Sequence, residues 1–180
     1  MLTPLGREAF VFLVHADNPV EDLTVEQLCG IYAGQYTRWS QLGGERRTIL
    51  ALQRNAGSGS QTAFLRFFEQ NRTNADARPV STSANPFGSC IGFSFRYYVM
   101  DVVQNGKVKM LAVNGVSPTR ENIADGTYPL VSSIYAVTRA DNQNPNVQAV
   151  LDWMLSAQGQ AILQETGYVG LEPSAAESPK

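Results

Sequence analysis

The sequence predicts an α/β sandwich, with a mixed, mostly parallel sheet between layers of helices. Two observations carry that expectation. Strand-like and helix-like segments alternate along almost the whole chain. The first strand candidate, "AFVFLVH" (9–15), is a nearly unbroken apolar run of β-branched and aromatic residues, as in a strand covered on both faces. The chain has 180 residues, 43% hydrophobic and 17% charged, which suits one domain with a core and argues against disorder.

"ADNPV" breaks that first strand. A helix follows in "LTVEQLCGIYAG": Thr24 is placed as N-cap and Gln27 completes a capping box. Leu23 and Leu28 are spaced as a hydrophobic staple, and Gly34 is the stop. "WSQLGGERR" is a turn-rich link, and "TILALQR" (48–54) reads as a short strand delivering Arg54 at its C-terminal end. Phe64, Leu65, Phe67 and Phe68 give the next segment an apolar helical face from about Ser60 to Gln70. Residues 71–90 are polar, rich in Asn, Ser, Thr and Pro, and read as the least structured part of the chain. "IGFSF" then opens an aromatic segment leading to a short helix that ends near Asn105-Gly106. "KVKMLAV" (107–113) reads as a strand. Ser117, Pro118 and Gly126 are placed as N-cap, first helical residue and stop of another helix. "YPLVSSIYAVTR" (128–139) is the last long strand. Two helices follow, the second beginning near Ser156 and closed by Gly167, and 171–180 look like a frayed tail.

Composition excludes several function classes. The net charge is −2 and the basic residues are scattered, so neither a nucleic-acid surface nor a polybasic membrane patch is expected. No apolar run reaches the length of a membrane span, and Met1–Gly6 is too short and polar for a signal peptide. The two cysteines, Cys29 and Cys90, lack CxxC spacing and read as small buried hydrophobes, although pairing stays open. His15, the single histidine, ends a hydrophobic strand and gives a metal cluster or a Ser-His-Asp arrangement little support. No cofactor is expected. Trp39 and Trp153 read as packing residues, as do Phe93, Phe95, Tyr97 and Tyr98, which lack the basic neighbours of a base-stacking surface. Asp17, Glu21 and Asp22 fit no calcium loop. Arg46 and Arg47 read as surface charges.

The stretch "RNAGSGSQ" (54–61) carries the chemistry. A strand, a Gly/Ser turn and a helix start can form an oxyanion cradle, because the first N–H groups of a helix lack intrahelical acceptors and the helix dipole is positive there. Gly57 and Gly59 allow close backbone approach, Ser58 and Ser60 offer hydroxyls, and Arg54 offers a planar cationic fork. On the residues alone an ordinary Gly/Ser turn is the commoner reading of such a tetrapeptide. The segment is neither a P-loop, which needs Gly-Lys-Ser/Thr, nor a GxSxG nucleophile elbow.

Four motifs in order, "NPVEDLTVEQLCGIYAGQYTRWSQLGG", "RNAGSGSQTAF", "IGFSFRYYV" and "LSAQGQAILQETGYVGL", make residues 7–171 resemble the substrate-binding component of bacterial phosphate ABC transporters. That resemblance implies a periplasmic-binding-protein-like fold of two α/β lobes joined by crossover strands, with phosphate or a related oxyanion held between them. It implies a non-enzymatic, extracytoplasmic protein that feeds an ABC permease. It assigns Arg54 as the charged clamp, Ser58 and Ser60 as hydroxyl and amide donors, and Gly59 as an amide donor. Residues 18–127 correspond to a complete second lobe, and 7–17 with 128–170 to crossover strands and C-terminal helices of a partial first lobe.

Three departures accompany it. Nothing before Arg7 corresponds to the Ser/Thr-rich half-lobe and proton-accepting acid of such proteins, so weak affinity is expected of this chain. Ala56 stands where many members carry an acidic partner for the arginine. The segment 71–90 is short where relatives place a helix before the "IGF" strand. The alternative is an interaction or cell-envelope domain with an idle anion loop. Without the half-lobe they normally cover, the apolar faces formed by Val150, Leu151, Trp153, Met154, Leu155, Ile162 and Leu163 need another partner, and burial by self-association through the C-terminal helices is expected.

Overall fold

The computed structural model describes residues 1–81, 88–101 and 106–171. In chain order its elements are β1 (Leu2–His15), β2 (Asp22–Leu23), α1 (Val25–Tyr32), β3 (Thr48–Ala51), α2 (Gly59–Asn71), β4 (Gly88–Phe95) and α3 (Arg96–Asp101). They continue with β5 (Val108–Met110), β6 (Ala112–Val113), α4 (Arg120–Ala124), β7 (Val131–Val137), α5 (Pro145–Leu155), α6 (Ala157–Glu165) and β8 (Val169–Gly170).

Strand β1 organises the molecule. Its first half, to Ala9, pairs with β7 and, at Gly6 and Arg7, with β8. Its second half, from Phe10, pairs with β4 and then with β5. One strand thus belongs to two halves of the sheet, and the handover falls at Ala9–Phe10. There the Phe10 N–H donates to the Leu130 carbonyl (2.9 Å), and the Tyr128 hydroxyl donates to the Phe10 carbonyl (3.0 Å). Pro4 has no N–H to give a ladder, and the β1–β7 register shifts between Pro4 and Gly6. Gly6 is needed beside that shift, since a Cβ there would sit 2.9 Å from the Val169 carbonyl oxygen and about as close to Leu163.

The sheet is mixed, as expected, but its balance of directions is not mostly parallel. β1 runs antiparallel to all four of its partners, and the parallel pairs are β3–β4 and β2–β6. A strand covered on both faces shows the same apolar run whichever way its neighbours point, so the sequence does not encode direction. The expected single strand over 107–113 is two, because Leu111 separates β5, which pairs with β1, from β6, which pairs with β2. β4, whose first residues belong to the polar stretch 71–90 and whose remainder is the aromatic "IGFSF" segment, is a central strand between β1 and β3.

Most helices begin and end where local chemistry places them. Thr24 caps α1, and the capping box with Gln27 is formed in both directions (3.1 and 2.9 Å). Thr24→Ala is expected to cost about 1 kcal/mol of stability, measured by urea unfolding. Asn144 caps α5 with Pro145 in its first turn, and Ser156 caps α6. For α4 the cap is Thr119 rather than Ser117; the Ser117 carbonyl instead accepts from the Thr119 N–H and the Asn122 side chain. The end of the helix expected near Asn105 lies partly outside the described residues, as do the middle of the polar 71–90 segment and the tail from 172.

An aromatic cluster joins α1 and α2 to the sheet. Phe64 stacks on Phe93 (4.4 Å, 7°) and meets Tyr32 at 4.5 Å, while Phe12 contacts Phe67 and Tyr32. Trp39 is fully buried, its indole N–H on the Ser89 carbonyl, but Trp153 is 45% exposed and is not a core residue. Phe93 is buried, Tyr97 stacks on Tyr168, and Tyr98 is exposed. Cys29 is buried, and burial pushes its thiol pKa up. Cys90 is exposed against expectation, because it starts a strand whose face there is open. Both are free thiols.

Candidate functional site

The β3–α2 connection holds all four residues singled out as an anion site. Its placement follows from strand direction. β3 is parallel to β4, and β4 runs against β1 until Phe95 lies opposite Phe10. The C-terminal ends of β3 and β4 therefore point toward the half of β1 that pairs with β7 and β8. β3 stops with Ala51 level with Ile91, while β4 continues to Phe95, roughly 13 Å further. The loop after β3 therefore runs toward the junction of the two sheet halves, starting about 13 Å short of it.

The base of the loop is held tightly. The Leu52 N–H donates to the Ile91 carbonyl (2.9 Å), and the buried Tyr32 hydroxyl donates to the Leu52 carbonyl (3.2 Å). Burial raises the Tyr32 pKa well above the ordinary phenol value, so it stays a donor. The turn closes where the Ser58 N–H meets the Asn55 carbonyl (3.2 Å). Gly57, at φ +87°, takes the left-handed conformation that a side chain would strain. A Cβ on either Gly57 or Gly59 would meet nothing within 4 Å, so the backbone there faces open space.

Ser58 is the N-cap of α2, but its hydroxyl does not cap. It pairs with the Ser60 hydroxyl (3.0 Å), while its carbonyl accepts from the Thr62 N–H and hydroxyl. The N–H groups of Gly59, Ser60 and Gln61 have no acceptor among the described residues. Three backbone donors, two adjoining hydroxyls and the positive end of a thirteen-residue helix are thus gathered at one helix start. Arg54 is exposed, and among the described residues no carboxylate lies within ion-pair distance of it. Only its backbone is tied to the helix start; no hydrogen bond brings its guanidinium onto the two hydroxyls.

Two residues of this site were missed. Gln61 accepts the Arg54 N–H through Oε1 (2.9 Å) and donates through Nε2 to Gln53 Oε1 (2.7 Å). Gln53 in turn donates to the Pro79 and Val80 carbonyls (3.1 Å each). A signal was visible, since Ser58-x-x-Gln61 has capping-box spacing, but the glutamine reaches past the N-cap to Arg54.

The remaining candidates stay apart from this loop. His15 is exposed at the end of β1, its Nδ1 accepting the Asp17 N–H (3.2 Å). Glu21 pairs with Lys109, Asp22 accepts the Gly115 N–H, and Arg47 pairs with Glu45. No metal-holding group of acidic, His and Cys side chains is present among the described residues. A cleft of about 540 Å³, lined by Leu13, His15, Trp39, Leu52, Cys90 and Gly92 among others, contains none of Arg54, Ser58, Gly59 or Ser60.

A mixed sheet whose central strand is shared by two halves, with a polar loop turned toward their junction, is the architecture of a periplasmic-binding-protein-like α/β fold. The chain belongs to that family: residues 1–158 match the family model described as a PBP superfamily domain. It is 25% identical over 186 residues to the phosphate-binding protein PstS of Borreliella burgdorferi, covering 94% of this chain and 66% of that protein. It is 25% identical over 160 residues to the Bacillus subtilis phosphate-binding protein PstS, covering 87% and 53%. The chain therefore spans between about half and two thirds of the length of these relatives. Among solved structures, an ABC-type phosphate transport receptor from Vibrio cholerae superposes with a TM-score of 0.76 at 27% identity, covering 94% of this chain and 72% of that one. A substrate-binding protein from Clostridium perfringens, solved with bound phosphate, gives 0.75 at 26% identity, covering 96% and 72%.

Proposed function

We propose that this chain carries one side of a non-enzymatic binding site for phosphate or a related oxyanion, serving ABC-type uptake or sensing outside the cytoplasm with an ABC permease as partner. The carrying observation is the open start of α2, where the N–H groups of Gly59, Ser60 and Gln61 lack acceptors beside an arginine without a carboxylate partner. In this reading Arg54 is the charged clamp, Ser58 and Ser60 donate hydroxyls, and Gly59 and Ser60 donate backbone N–H groups. The similarity to phosphate-binding proteins and to a phosphate transport receptor supports the ligand class. Residues 18–127 act as the complete second lobe, with 7–17 and 128–170 as crossover strands and C-terminal helices of a partial first lobe. In such a site, closure around the anion removes its water, so donors from both sides contribute to affinity.

Amide-detected NMR titration with phosphate tests the assignment. The expected result is weak, saturable shifts at Gly59 and Ser60, with affinity reduced about tenfold or more in Arg54→Ala. Tight stoichiometric binding that survives Arg54→Ala would refute the role of that residue.

A second reading is favoured by a different observation. Leu2, Tyr135 and Val137 on β1 and β7 are exposed, as are Val150, Trp153, Leu155 and Ile162 on α5 and α6. These apolar groups suit an interaction domain, or self-association through the C-terminal helices, with the anion loop idle. A concentration-dependent mass in light scattering, with no phosphate-induced shifts, would favour it.

A further inference from the structure

We infer that Gln61, working with Gln53, is the positioning residue that sets the departure of Arg54 from the sheet, in place of an acidic partner on the arginine itself. The inference rests on the phosphate reading for its ligand, but its geometry stands apart from it. Position 56, two residues after the arginine, is alanine and exposed, and the described residues offer the guanidinium no carboxylate. Among the described residues no ion pair therefore orients the side chain.

The backbone is oriented instead. Gln61 is buried, only 7% exposed, in the first turn of α2. A buried amide has a donor end and an acceptor end to satisfy, and this one spends them on Arg54 N–H and on Gln53 Oε1. Gln53 is anchored through two carbonyls, Pro79 and Val80, and Val80 donates its own N–H to the Tyr32 carbonyl on α1 (2.7 Å). The result is an unbroken polar chain from α1 through 79–80, Gln53 and Gln61 to the arginine. It carries no formal charge, so it fixes the loop without placing a carboxylate beside an incoming anion. An acid on the arginine would orient it but would also neutralise it; the glutamine pair leaves its full charge for the ligand.

Hydrogen exchange of the Arg54 amide tests this without any anion. In the native chain that amide is expected to be protected. Gln61→Ala is expected to speed its exchange about tenfold or more and to weaken phosphate affinity severalfold, with the Gly59 amide exchanging as before. Gln61→Glu separates geometry from charge and guards against a misfolded alanine variant. It keeps an acceptor for the Arg54 N–H but gives up the donor to Gln53 Oε1, so Arg54 protection should fall less than in Gln61→Ala, while the added negative charge weakens phosphate binding. Unchanged Arg54 exchange in Gln61→Ala overturns the inference whether or not phosphate binds. Absence of any phosphate-induced shift in the native chain overturns the functional reading instead, and the exchange result still decides the positioning role.

Discussion

Phe64→Ala is expected to lower the unfolding free energy by about 4 kcal/mol. Phe64 is completely buried, lies flat on Phe93 of β4 at 4.4 Å, and meets Tyr32 of α1 at 4.5 Å and Phe68 at 6.1 Å. Its ring therefore helps α2 grip both the sheet and the neighbouring helix, beside Phe67, which meets Phe12 of β1. Truncation removes the transfer term and leaves a cavity walled by rigid aromatic rings, which collapse poorly. Against a typical total of about 5–15 kcal/mol, such a loss brings the chain close to its unfolding threshold. Urea denaturation should show a large fall in midpoint with little change in slope. Phe64→Leu should lose less than half as much, because it refills most of the volume. A loss under about 1 kcal/mol for the alanine variant would contradict the packing described for α2.

The second large effect is expected at Arg96, which ties the two halves of the molecule together. The residue is 9% exposed at the start of α3; its Nε donates to the Pro118 carbonyl (2.9 Å) and its Nη1 to the Gly167 carbonyl (3.5 Å). Gly167 follows α6 and Pro118 precedes α4, so one guanidinium holds loops from both sides of the junction. Arg120 reinforces the link by donating to the Gln164 carbonyl (3.1 Å), and Arg7 of β1 donates to the Ile123 and Ala124 carbonyls at the end of α4. Arg96→Met keeps the apolar stem but strands the two carbonyls, with an expected cost of about 2–3 kcal/mol. Amide exchange at 166–170 should accelerate more than exchange in β4, because the loss is local before it is global. Equal acceleration in both regions would show that the residue does not act as a link between them.

Local chemistry made much of this fold readable. Thr24 and Gln27 can satisfy each other in only one arrangement, and Asn144 with Pro145 or Ser156 announce helix starts by the same logic of unpaired N–H groups. Strand β4 was harder to see. Its residues Ser89 and Gly92 carry little strand signal, and burial between β1 and β3 supplies what local preference lacks. The exposure of Trp153 and Cys90 was equally hidden, since a large apolar or small thiol side chain reads as interior unless the missing neighbours are known.

The candidate site divides in the same way. Gly57, Ser58, Gly59 and the helix after them are local features, and the sequence by itself determined that a helix start with free N–H groups and small, hydroxyl-bearing residues would lie beside Arg54. Tertiary structure decided where that start faces, because only the parallel pairing of β3 with β4 turns the loop toward the junction on β1. It also decided which way Gln61 reaches. The capping-box spacing allows a bond to Ser58, but the end of β3 brings the Arg54 N–H closer, and a buried amide takes the partner that the surrounding backbone presents.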